Sequence, residues 1–160
     1  MERSGGIAAA PARQGFAALV RAAIDPATVL AAVRDASAGG NVLFLGTARS
    51  MTAGVATRAL EYDAHESLAA ATLDALRQTA IARFGLTASA VVHRLGHVPV
   101  GEAAVAVATS GPHRAEAFAA AEWLMAEIKR QVPIWKGEDR GGGRIEWQHP
   151  ESAPRPGGGP

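Results

Sequence analysis

Two apolar, strand-like segments follow each other with no helix between them, and this feature restricts the fold more than any other. Residues 89–101 and 102–110 have the sequences SAVVHRLGHVPVG and EAAVAVATS, joined through the turn sequence HVPVGE. Pro99 and Gly101 favour a tight turn there. The remaining strand-like segments do not alternate strictly with helices either. This order predicts an α+β fold with a mixed, largely antiparallel sheet and packed helices, rather than a doubly wound fold.

Three segments have the spacing of amphipathic helices. The first begins at Asp25, a suitable N-cap, and has Pro26 at its first helical position. The second spans residues 65–85 and ends on a glycine. The third spans residues 113–131 and is ended by Pro133. The predicted packing faces consist of Leu73, Leu76, Ala80 and Phe84 in the second helix and of Phe118, Ala121, Met125 and Ile128 in the third.

Short apolar runs outside these helices predict further strands. Residues 41–47 have the pattern of a buried strand, and residues 59–63 and 143–148 are also predicted as strands. Residues 16–24 fit a strand or a helix equally well.

Size and composition favour one globular domain. The chain has 160 residues, of which 48% are hydrophobic, enough for a sizeable core. We predict that the domain covers residues 15–148. Residues 1–14 have the composition of a disordered leader, and residues 149–160 that of a disordered, Pro/Gly-rich tail.

Charge and cysteine content exclude several functions. The net charge of +1 gives no general attraction to nucleic acid or to membranes. No run of about 18 apolar residues predicts a transmembrane helix, and the first residues lack the apolar core of a secretory signal, so we expect a cytoplasmic location. The absence of Cys excludes disulfides, thiolate metal sites and any mechanism in which this chain carries sulfur on a Cys.

Lysine is confined to one short stretch of the chain. Lys129 and Lys136, in IKRQVPIWKGE, are the only lysines among 16 Lys and Arg residues. A lysine at a helix C-terminus or in a loop is usually a solvated charge. An amine, however, can act as a nucleophile or relay a proton, whereas a guanidinium stays charged. Because the chain otherwise uses Arg, the pattern favours amine chemistry at a pocket reached from the helix end and the segment after it.

Two further places could bind an anion. His113 and Arg114 lie at the first turn of the third helix, where free backbone N–H groups point outward. Arg49 follows the strand-end residue Gly46, a position that suits bidentate recognition of an anion. Each of these is also compatible with a solvated surface residue.

Two histidines and two glutamates are further candidate site residues. His93 and His97 are four residues apart, a spacing that could bind zinc on a helix. Because the segment is predicted as a strand followed by a turn, the two would not share a face, and we expect no metal site. Glu61 and Glu66 could cap or pair near a strand–helix junction, and nothing marks them as a catalytic pair.

Several of these motifs together resemble one family. The stretches FLGTAR, LEYDAHESLA and SGPHRAEAFAAAEWLMAEIKRQVPIWKGE are similar to the large, catalytic subunit of molybdopterin synthase. The resemblance covers about residues 15–148. Its most specific part is the last stretch, in which His-Arg opens a helix and a Lys precedes a Pro-x-Trp-Lys turn.

The resemblance implies a fold, a reaction and partners. It implies an α/β hammerhead type of fold and no cofactor. The family converts cyclic pyranopterin monophosphate into molybdopterin by adding the two sulfurs of its dithiolene. The sulfur arrives as the C-terminal thiocarboxylate of a small ubiquitin-like sulfur-carrier subunit. The large subunit forms a homodimer, and one small subunit docks on each protomer to give a heterotetramer.

The resemblance also implies a set of site residues. Lys129 and Lys136 match the two active-site lysines of the family. The expected substrate-binding residues are Thr47, Ala48, Arg49, His113, Arg114, Lys129, Lys136, Gly137 and Glu138. The family usually has Lys or Arg where Gly137 stands, so only the backbone of Gly137 could contribute. Thr47 stands where a longer residue is also common.

Two other functions stay open on the sequence alone. A non-catalytic module that binds anions or an acidic tail would need the arginines but would not distinguish Lys from Arg. A metal hydrolase would use His93 and His97, and a metal assay would identify it.

Two predictions concern assembly and charge. We expect a homodimer whose active site is completed by the second protomer, because the apolar segment AAVAVAT must be covered on both faces. We also expect Arg49, Arg114, Lys129 and Lys136 to converge on one concave surface, where an anionic ligand would offset their charges.

Overall fold

The computed structural model describes residues 14–148, which form three helices, two four-stranded sheets and a two-stranded hairpin. The predicted leader, apart from Gln14, and the predicted tail lie outside the described residues. In chain order the elements are β1 Ala17–Val20, α1 Pro26–Ala31, β2 Gly40–Thr47, β3 Met51–Thr52, β4 Val55–Ala56, β5 Ala59–Ala64, α2 Glu66–Phe84, β6 Ala88–Arg94, β7 Gly96–Pro99, β8 Ala103–Gly111, α3 Arg114–Gln131, β9 Ile134–Asp139 and β10 Ile145–Gln148.

The first sheet has the strand order β1-β6-β8-β2 and is covered by helices on both faces. Strand β6 pairs antiparallel with β8, and β8 pairs antiparallel with β2, whereas β1 pairs parallel with β6. Helices α2 and α3 pack on one face through a core that includes Leu73 and Leu124. The short helix α1 packs on the other face through Val29 and Val33. The predicted mixed, largely antiparallel α+β fold is confirmed.

The second sheet has the order β10-β9-β5-β7, and all its pairs are antiparallel. Its apolar core is small and consists of Ala48, Leu60, Val98 and Ala104, with Tyr62 packed against it. The two sheets meet where β8 leaves the turn that follows β7. The remaining hairpin, β3-β4, follows the end of β2.

The helix boundaries follow from local chemistry. The Asp25 carboxylate accepts a hydrogen bond from the Ala27 N–H at 3.1 Å and caps α1, as predicted. Helix α2 ends at Gly85, whose φ of 63° is the left-handed conformation that glycine adopts without a steric cost. None of the helices between residues 14 and 148 has the length and apolar character needed to span a bilayer.

The stretch HVPVGE differs from its prediction as a simple turn. Gly96 has a φ of 78°, which ends β6 and redirects the chain. Residues Gly96–Pro99 then form β7, which pairs with β5 in the second sheet. Only residues 100–102 turn, around Gly101, before the chain returns to the first sheet as β8. The two strands of the first sheet are therefore antiparallel neighbours, as predicted, but their connection supplies an edge strand to the second sheet.

Two burial predictions were wrong. Phe118 is 63% exposed, and the buried face of α3 is formed by Ala117, Ala120, Ala121, Leu124 and Ile128. Both sets of residues have helical spacing, and the hydroxyl of Thr109 on β8 donates to the Ala117 carbonyl at 2.7 Å, which keeps the Ala117 side against the sheet. Strand β2, predicted as buried, is an edge strand and half-exposed, with Phe44 42% exposed.

Candidate active site

A cleft of about 580 Å³ lies between the end of β2, the last turns of α3 and the inward face of the second sheet. Its apolar wall includes Phe44, Leu60, Met125 and Ile128. Three cationic side chains reach it, Arg49, Lys129 and Lys136. The cleft therefore combines an apolar wall with positive charge, which suits an anionic ligand with a flat apolar part.

The end of β2 opens the cleft on one side. Gly46 pairs with Val105, and a Cβ added to Gly46 would lie 2.7 Å from the Val105 Cγ1, so a side chain there would collide with the cleft floor. The register shifts between Gly46 and Thr47, and Thr47 lines the cleft. The strand bends at such a shift, which leads the chain towards Arg49.

Ala48 holds this loop in place without entering the cleft. It is 2% exposed, and its N–H donates to the Glu102 carbonyl at 3.0 Å. Its carbonyl accepts from the Gly101 N–H at 2.8 Å. Ala48 therefore fixes the base from which Arg49 projects.

The two lysines reach the cleft from a helix end and from a strand. Helix α3 ends at Gln131, and Val132 is already extended, with a ψ of 127°, because Pro133 follows. Lys129 lies in the last turn of the helix, and Lys136 lies on β9. Both line the cleft. The change from helix to strand at Pro133 thus brings the two amines to one cavity.

A buried carboxylate distinguishes Lys136 from Lys129. Glu138 is fully buried, and its Oε1 lies 3.7 Å from the Lys136 Nζ. The same carboxylate lies 2.7 Å from the Arg140 guanidinium and accepts a hydrogen bond from the Gln148 amide at 2.7 Å. These partners offset the cost of burying a charge. Lys129, in contrast, has no salt bridge to any residue between 14 and 148.

Gly137 faces away from the cleft. Successive residues of a strand point to opposite faces, so its Cβ position is on the side opposite Lys136 and Glu138. A Cβ there would lie 2.5 Å from the Ile145 Cγ2 and 3.1 Å from the Trp147 ring. Strand β10 therefore occupies the space that a longer side chain would need.

His113 and Arg114 do not reach this cleft in a single chain. Arg114 is the first residue of α3, fifteen positions before Lys129, and a helix rises about 22 Å over that length. The backbone there packs on β2, since a Cβ added to Gly40 would lie 3.0 Å from the Arg114 N. The predicted convergence of four cations is therefore not present within one chain, which brings together only Arg49, Lys129 and Lys136.

The cleft also contains side chains that the sequence did not predict as site residues, Thr52, Tyr62, Met125 and Gln148. Tyr62 and Gln148 flank Lys136 across the second sheet, opposite it on β5 and β10. Burial, and then the nearby Glu138 charge, raise the pKa of the Tyr62 hydroxyl to about 12. The alternation in LEYD, which places Leu60 and Tyr62 on one face, was the available signal for Tyr62.

His93 and His97 have different environments. His93 lines the cleft on β6, where burial lowers the pKa of its imidazole to about 4. His97 lies on β7 with its side chain 59% exposed, and its Nδ1 is 2.7 Å from the Glu61 Oε1. Within residues 14–148, no group of three or more His, Cys, Asp and Glu side chains is arranged to hold a metal ion.

Comparisons with known proteins agree with this fold. The family described as MoaE protein matches residues 19–131. A molybdopterin synthase catalytic subunit of Emericella nidulans is 39% identical over 125 residues, 78% of this chain and 64% of that protein. One from Coccidioides immitis is 42% identical, over 78% of this chain and 65% of that protein. This chain thus spans slightly less than two thirds of both fungal relatives.

An archaeal relative and two solved structures are matched over more of their length. The molybdopterin synthase catalytic subunit of Pyrococcus abyssi is 38% identical over 68% of this chain and 74% of that protein. The crystal structure of molybdopterin synthase from Staphylococcus aureus superposes with a TM-score of 0.77 at 32% identity, over 82% of this chain and 95% of that one. A molybdopterin biosynthesis MoaE protein from Burkholderia ambifaria gives a TM-score of 0.71 at 26% identity, over 88% and 93%.

These matches cover most of the described residues, including β2, both long helices and Lys129. The family match covers well over half of the chain, and the superposition on the Staphylococcus aureus structure covers 82% of it. The chain belongs to the MoaE protein family.

Proposed function

We propose that this protein is the catalytic subunit of a molybdopterin synthase. It transfers sulfur from the thiocarboxylated C-terminus of a small ubiquitin-like subunit to cyclic pyranopterin monophosphate and so forms the molybdopterin dithiolene. Its relatives in fungi and in an archaeon carry the name molybdopterin synthase catalytic subunit. We propose that it works in the cytoplasm, without a cofactor or a bound metal.

The observation that carries the proposal is that the only two lysines share one cleft with Arg49. The sulfur leaves an acyl carbon of the carrier, so that C–S bond must break and another atom must bond to the carbon. A neutral amine can attack this carbon, or can take a proton from the water that does. A guanidinium can do neither, because it does not lose its proton in proteins.

The surroundings of the two amines support different roles. Lys136 lies 3.7 Å from the Glu138 carboxylate and suits the binding of the anionic substrate as a fixed charge. Lys129 lies at the helix end beside Ile128 and Val132, with no carboxylate bonded to it among residues 14–148. We assign the acyl chemistry to Lys129 and charge recognition to Lys136 and Arg49. The sulfur comes from the carrier, which fits a chain of 160 residues without Cys.

A second copy of the chain supplies the remaining anion-binding residues in this proposal. His113 and Arg114 lie at the end of α3 remote from the cleft of their own chain. We propose that in a homodimer they reach the cleft of the partner protomer, where they hold the substrate phosphate with Arg49. A two-fold dimer would then contain two composite sites.

Mixing two inactive variants tests the composite site. Lys129→Ala and Arg114→Ala should each abolish product formation as pure dimers. After subunit exchange, a mixed dimer has one site with both residues intact, so roughly a quarter of the wild-type activity should return. If the mixture stays inactive although exchange is demonstrated, Lys129 and Arg114 act in the same chain. Full activity of the pure Arg114→Ala dimer would show that Arg114 has no role.

The amine is tested by assaying Lys129→Arg with thiocarboxylated small subunit and cyclic pyranopterin monophosphate, with dithiolene product as the readout. We expect Lys129→Arg and Lys129→Ala to lose product formation while they still bind the small subunit. Arg130→Ala is the matched control, because it removes a cation from the same helix turn and pairs with Glu127 instead of lining the cleft. Full activity of Lys129→Arg would show that Lys129 contributes only its charge, whereas a wild-type protein that binds the small subunit and forms no dithiolene would favour the alternative, a non-catalytic module that binds anions or an acidic tail.

A further inference from the structure

A neutral hydrogen-bond acceptor lies on the floor of the cleft. His93 on β6 is opposite Val105 on β8, and Val105 is opposite Gly46 on β2, so the three form one row across the first sheet. His93 is 6% exposed and lines the cleft. Its Nδ1 is 2.9 Å from the Arg94 carbonyl oxygen. Because a carbonyl can only accept, Nδ1 carries the proton, and Nε2 presents a lone pair.

Tyr62 forms the wall next to this acceptor. Its ring centroid is 4.9 Å from that of His93, with the planes at 72°, which is an edge-to-face contact. The Tyr62 hydroxyl keeps its proton, because its pKa is raised to about 12, so it is available as a donor. Neither the Tyr62 hydroxyl nor the His93 Nε2 is hydrogen-bonded to a residue between 14 and 148. Phe44 and Met125 complete an apolar surface around the pair.

The cleft thus contains two chemically different kinds of hydrogen-bonding group. The charged side chains that line it, those of Arg49, Lys129 and Lys136, are all donors and attract an anion. The His93 Nε2 is an acceptor without charge, so it cannot bind a phosphate oxygen, which is also an acceptor. A ligand that satisfies both kinds of group has an anionic group and a flat ring with an N–H.

We propose that His93 is a specificity-determining residue that accepts a hydrogen bond from a ring N–H of the substrate, a fused nitrogen heterocycle packed against Tyr62. This inference rests on the proposed function, which supplies a pterin as the heterocycle. A substrate analogue without the N–H leaves the buried acceptor unpaired, and a site built this way rejects such analogues. His93 therefore recognises the heterocycle, and the cations recognise the phosphate.

The test compares two ligands on three variants. His93→Phe keeps a ring against Tyr62 but removes the acceptor, and His93→Gln keeps a polar side chain that can accept. Ser89→Ala is the matched control, because Ser89 is a fully buried residue of the same strand whose hydroxyl has no partner in the described part of the chain. Calorimetry measures the Kd of cyclic pyranopterin monophosphate and of inorganic phosphate for each protein.

We expect His93→Phe to raise the Kd and the KM of the pyranopterin about tenfold, the loss of one buried hydrogen bond, with the Kd of phosphate unchanged. His93→Gln should recover most of this loss, and Ser89→Ala should bind both ligands as the wild type does. Unchanged pyranopterin binding by His93→Phe overturns the inference, and so does an equal loss for phosphate, which would indicate a structural role.

A second measurement uses the wild-type protein and does not depend on the folding of a variant. A pterin should compete with the pyranopterin for the cleft, and the same pterin methylated at its ring N–H positions should compete at least tenfold less well. Equal competition by the two overturns the inference. If the wild-type protein binds the pyranopterin and forms dithiolene but these tests fail, only the inference about His93 is wrong and the proposed function stands. If the wild-type protein neither binds the pyranopterin nor forms dithiolene, both are wrong.

Discussion

The two sheets of this protein are stabilised by different forces. In the first sheet, all seven residues of β6 and eight of the nine residues of β8 are buried, and an apolar cluster packs on each face of the sheet. Five of these buried residues are polar, Ser89, His93, Arg94, Thr109 and Ser110. In the second sheet, β10 is exposed at all four positions, and the largest fully buried side chain is that of Glu138. The first sheet depends on apolar burial, and the second depends on a charged network.

The difference explains where the chemistry lies. The hydrophobic effect is not directional, so apolar burial stabilises the fold but does not orient a reacting side chain. Ion pairs and hydrogen bonds have defined distances, such as 2.7 Å from Glu138 to Arg140 and to Gln148. The cleft forms where the two sheets meet, with Val105 and His93 of the first sheet on its floor and Lys136 of the second sheet beside it. A site needs both, because side chains are held in place only by a rigid scaffold.

The largest effect is expected from removing the buried charge of the second sheet. Glu138→Ala should lower the free energy of unfolding by about 3–5 kcal/mol, because it leaves the Arg140 guanidinium without its buried partner. Glu146→Ala is the control, since Glu146 also pairs with Arg140 but has a side chain 67% exposed, and it should cost less than about 1 kcal/mol. Urea unfolding of the two variants gives the comparison, and equal losses would contradict a special role for the buried carboxylate.

In the first sheet, a loss of unfolding free energy of the same size should require a substitution that leaves a cavity in the apolar core. Leu124 on α3 is fully buried, so Leu124→Ala should cost about 2–5 kcal/mol. Leu124→Met conserves volume and should cost less than about 1.5 kcal/mol, whereas Glu138→Gln, equally conservative in shape, should keep most of the Glu138→Ala loss. If both conservative variants are mild, the two sheets do not differ in the way proposed.

Acid should destabilise the protein through His93, the titratable residue that the first sheet contributes to the cleft. The folded-state pKa is about 4, below the ordinary 6.5, so between these values the unfolded chain binds a proton that the folded chain does not. Stability must therefore fall as the pH drops from about 6.5 to about 4, by on the order of 3 kcal/mol in total. The groups facing the imidazole are the Arg94 carbonyl and the Tyr62 ring, and neither titrates in this range.

His93→Phe separates this contribution from that of the carboxylates. The difference in unfolding free energy between wild type and variant should be constant above pH 7 and should shift in favour of the variant on acidification. Urea unfolding at several pH values between 4.5 and 7.5 measures it. Parallel stability curves for the two proteins would show that His93 is not the group involved.

The smallest effect is expected on the outer face of the second sheet. Gly137→Ala places a Cβ against the Ile145 side chain, and it should cost about 1 kcal/mol, since the exposed edge strand β10 can shift. Ile145→Ala removes that contact, so Gly137→Ala should cost less in the Ile145→Ala background. A double-mutant cycle by urea unfolding measures the coupling. Additive effects would indicate that β10 does not limit the residue at position 137.

The sequence predicted the local elements well and their burial less well. Asp25 and Gly85 were assigned correctly as helix ends, because capping depends on neighbouring residues alone. Phe118 was misassigned because two faces of α3 have helical spacing, and only the packing on β8 selects between them. The sequence did not predict that the chain turns at Gly96 into a second sheet. The positive φ of Gly96 redirects the chain, but β7 forms only because β5, far away in sequence, pairs with it.

Part of the cleft could be predicted from composition, and part could not. The restriction of Lys to positions 129 and 136 is visible in the sequence, and Pro133 between them predicts the change of direction that joins them in one cleft. Tyr62 and His93 were not predicted as neighbours, since they lie on strands of different sheets. His113 and Arg114 lie at one end of α3 and Lys129 lies at the other, so the length of the helix separates them. This separation is the reason for proposing a site formed by two chains.

The sequence by itself predicted the helix boundaries and the antiparallel neighbours β6 and β8, and it restricted lysine to the two positions that line the cleft. These depend on residue identity and on neighbours along the chain, which are the same before and after folding. The tertiary structure alone decided that β7 joins a second sheet, that Glu138 is buried, and that His93 contacts Tyr62. The β5–β7 pairing and the His93–Tyr62 contact join segments far apart in sequence, and such contacts are fixed by how the apolar faces pack and not by any local preference.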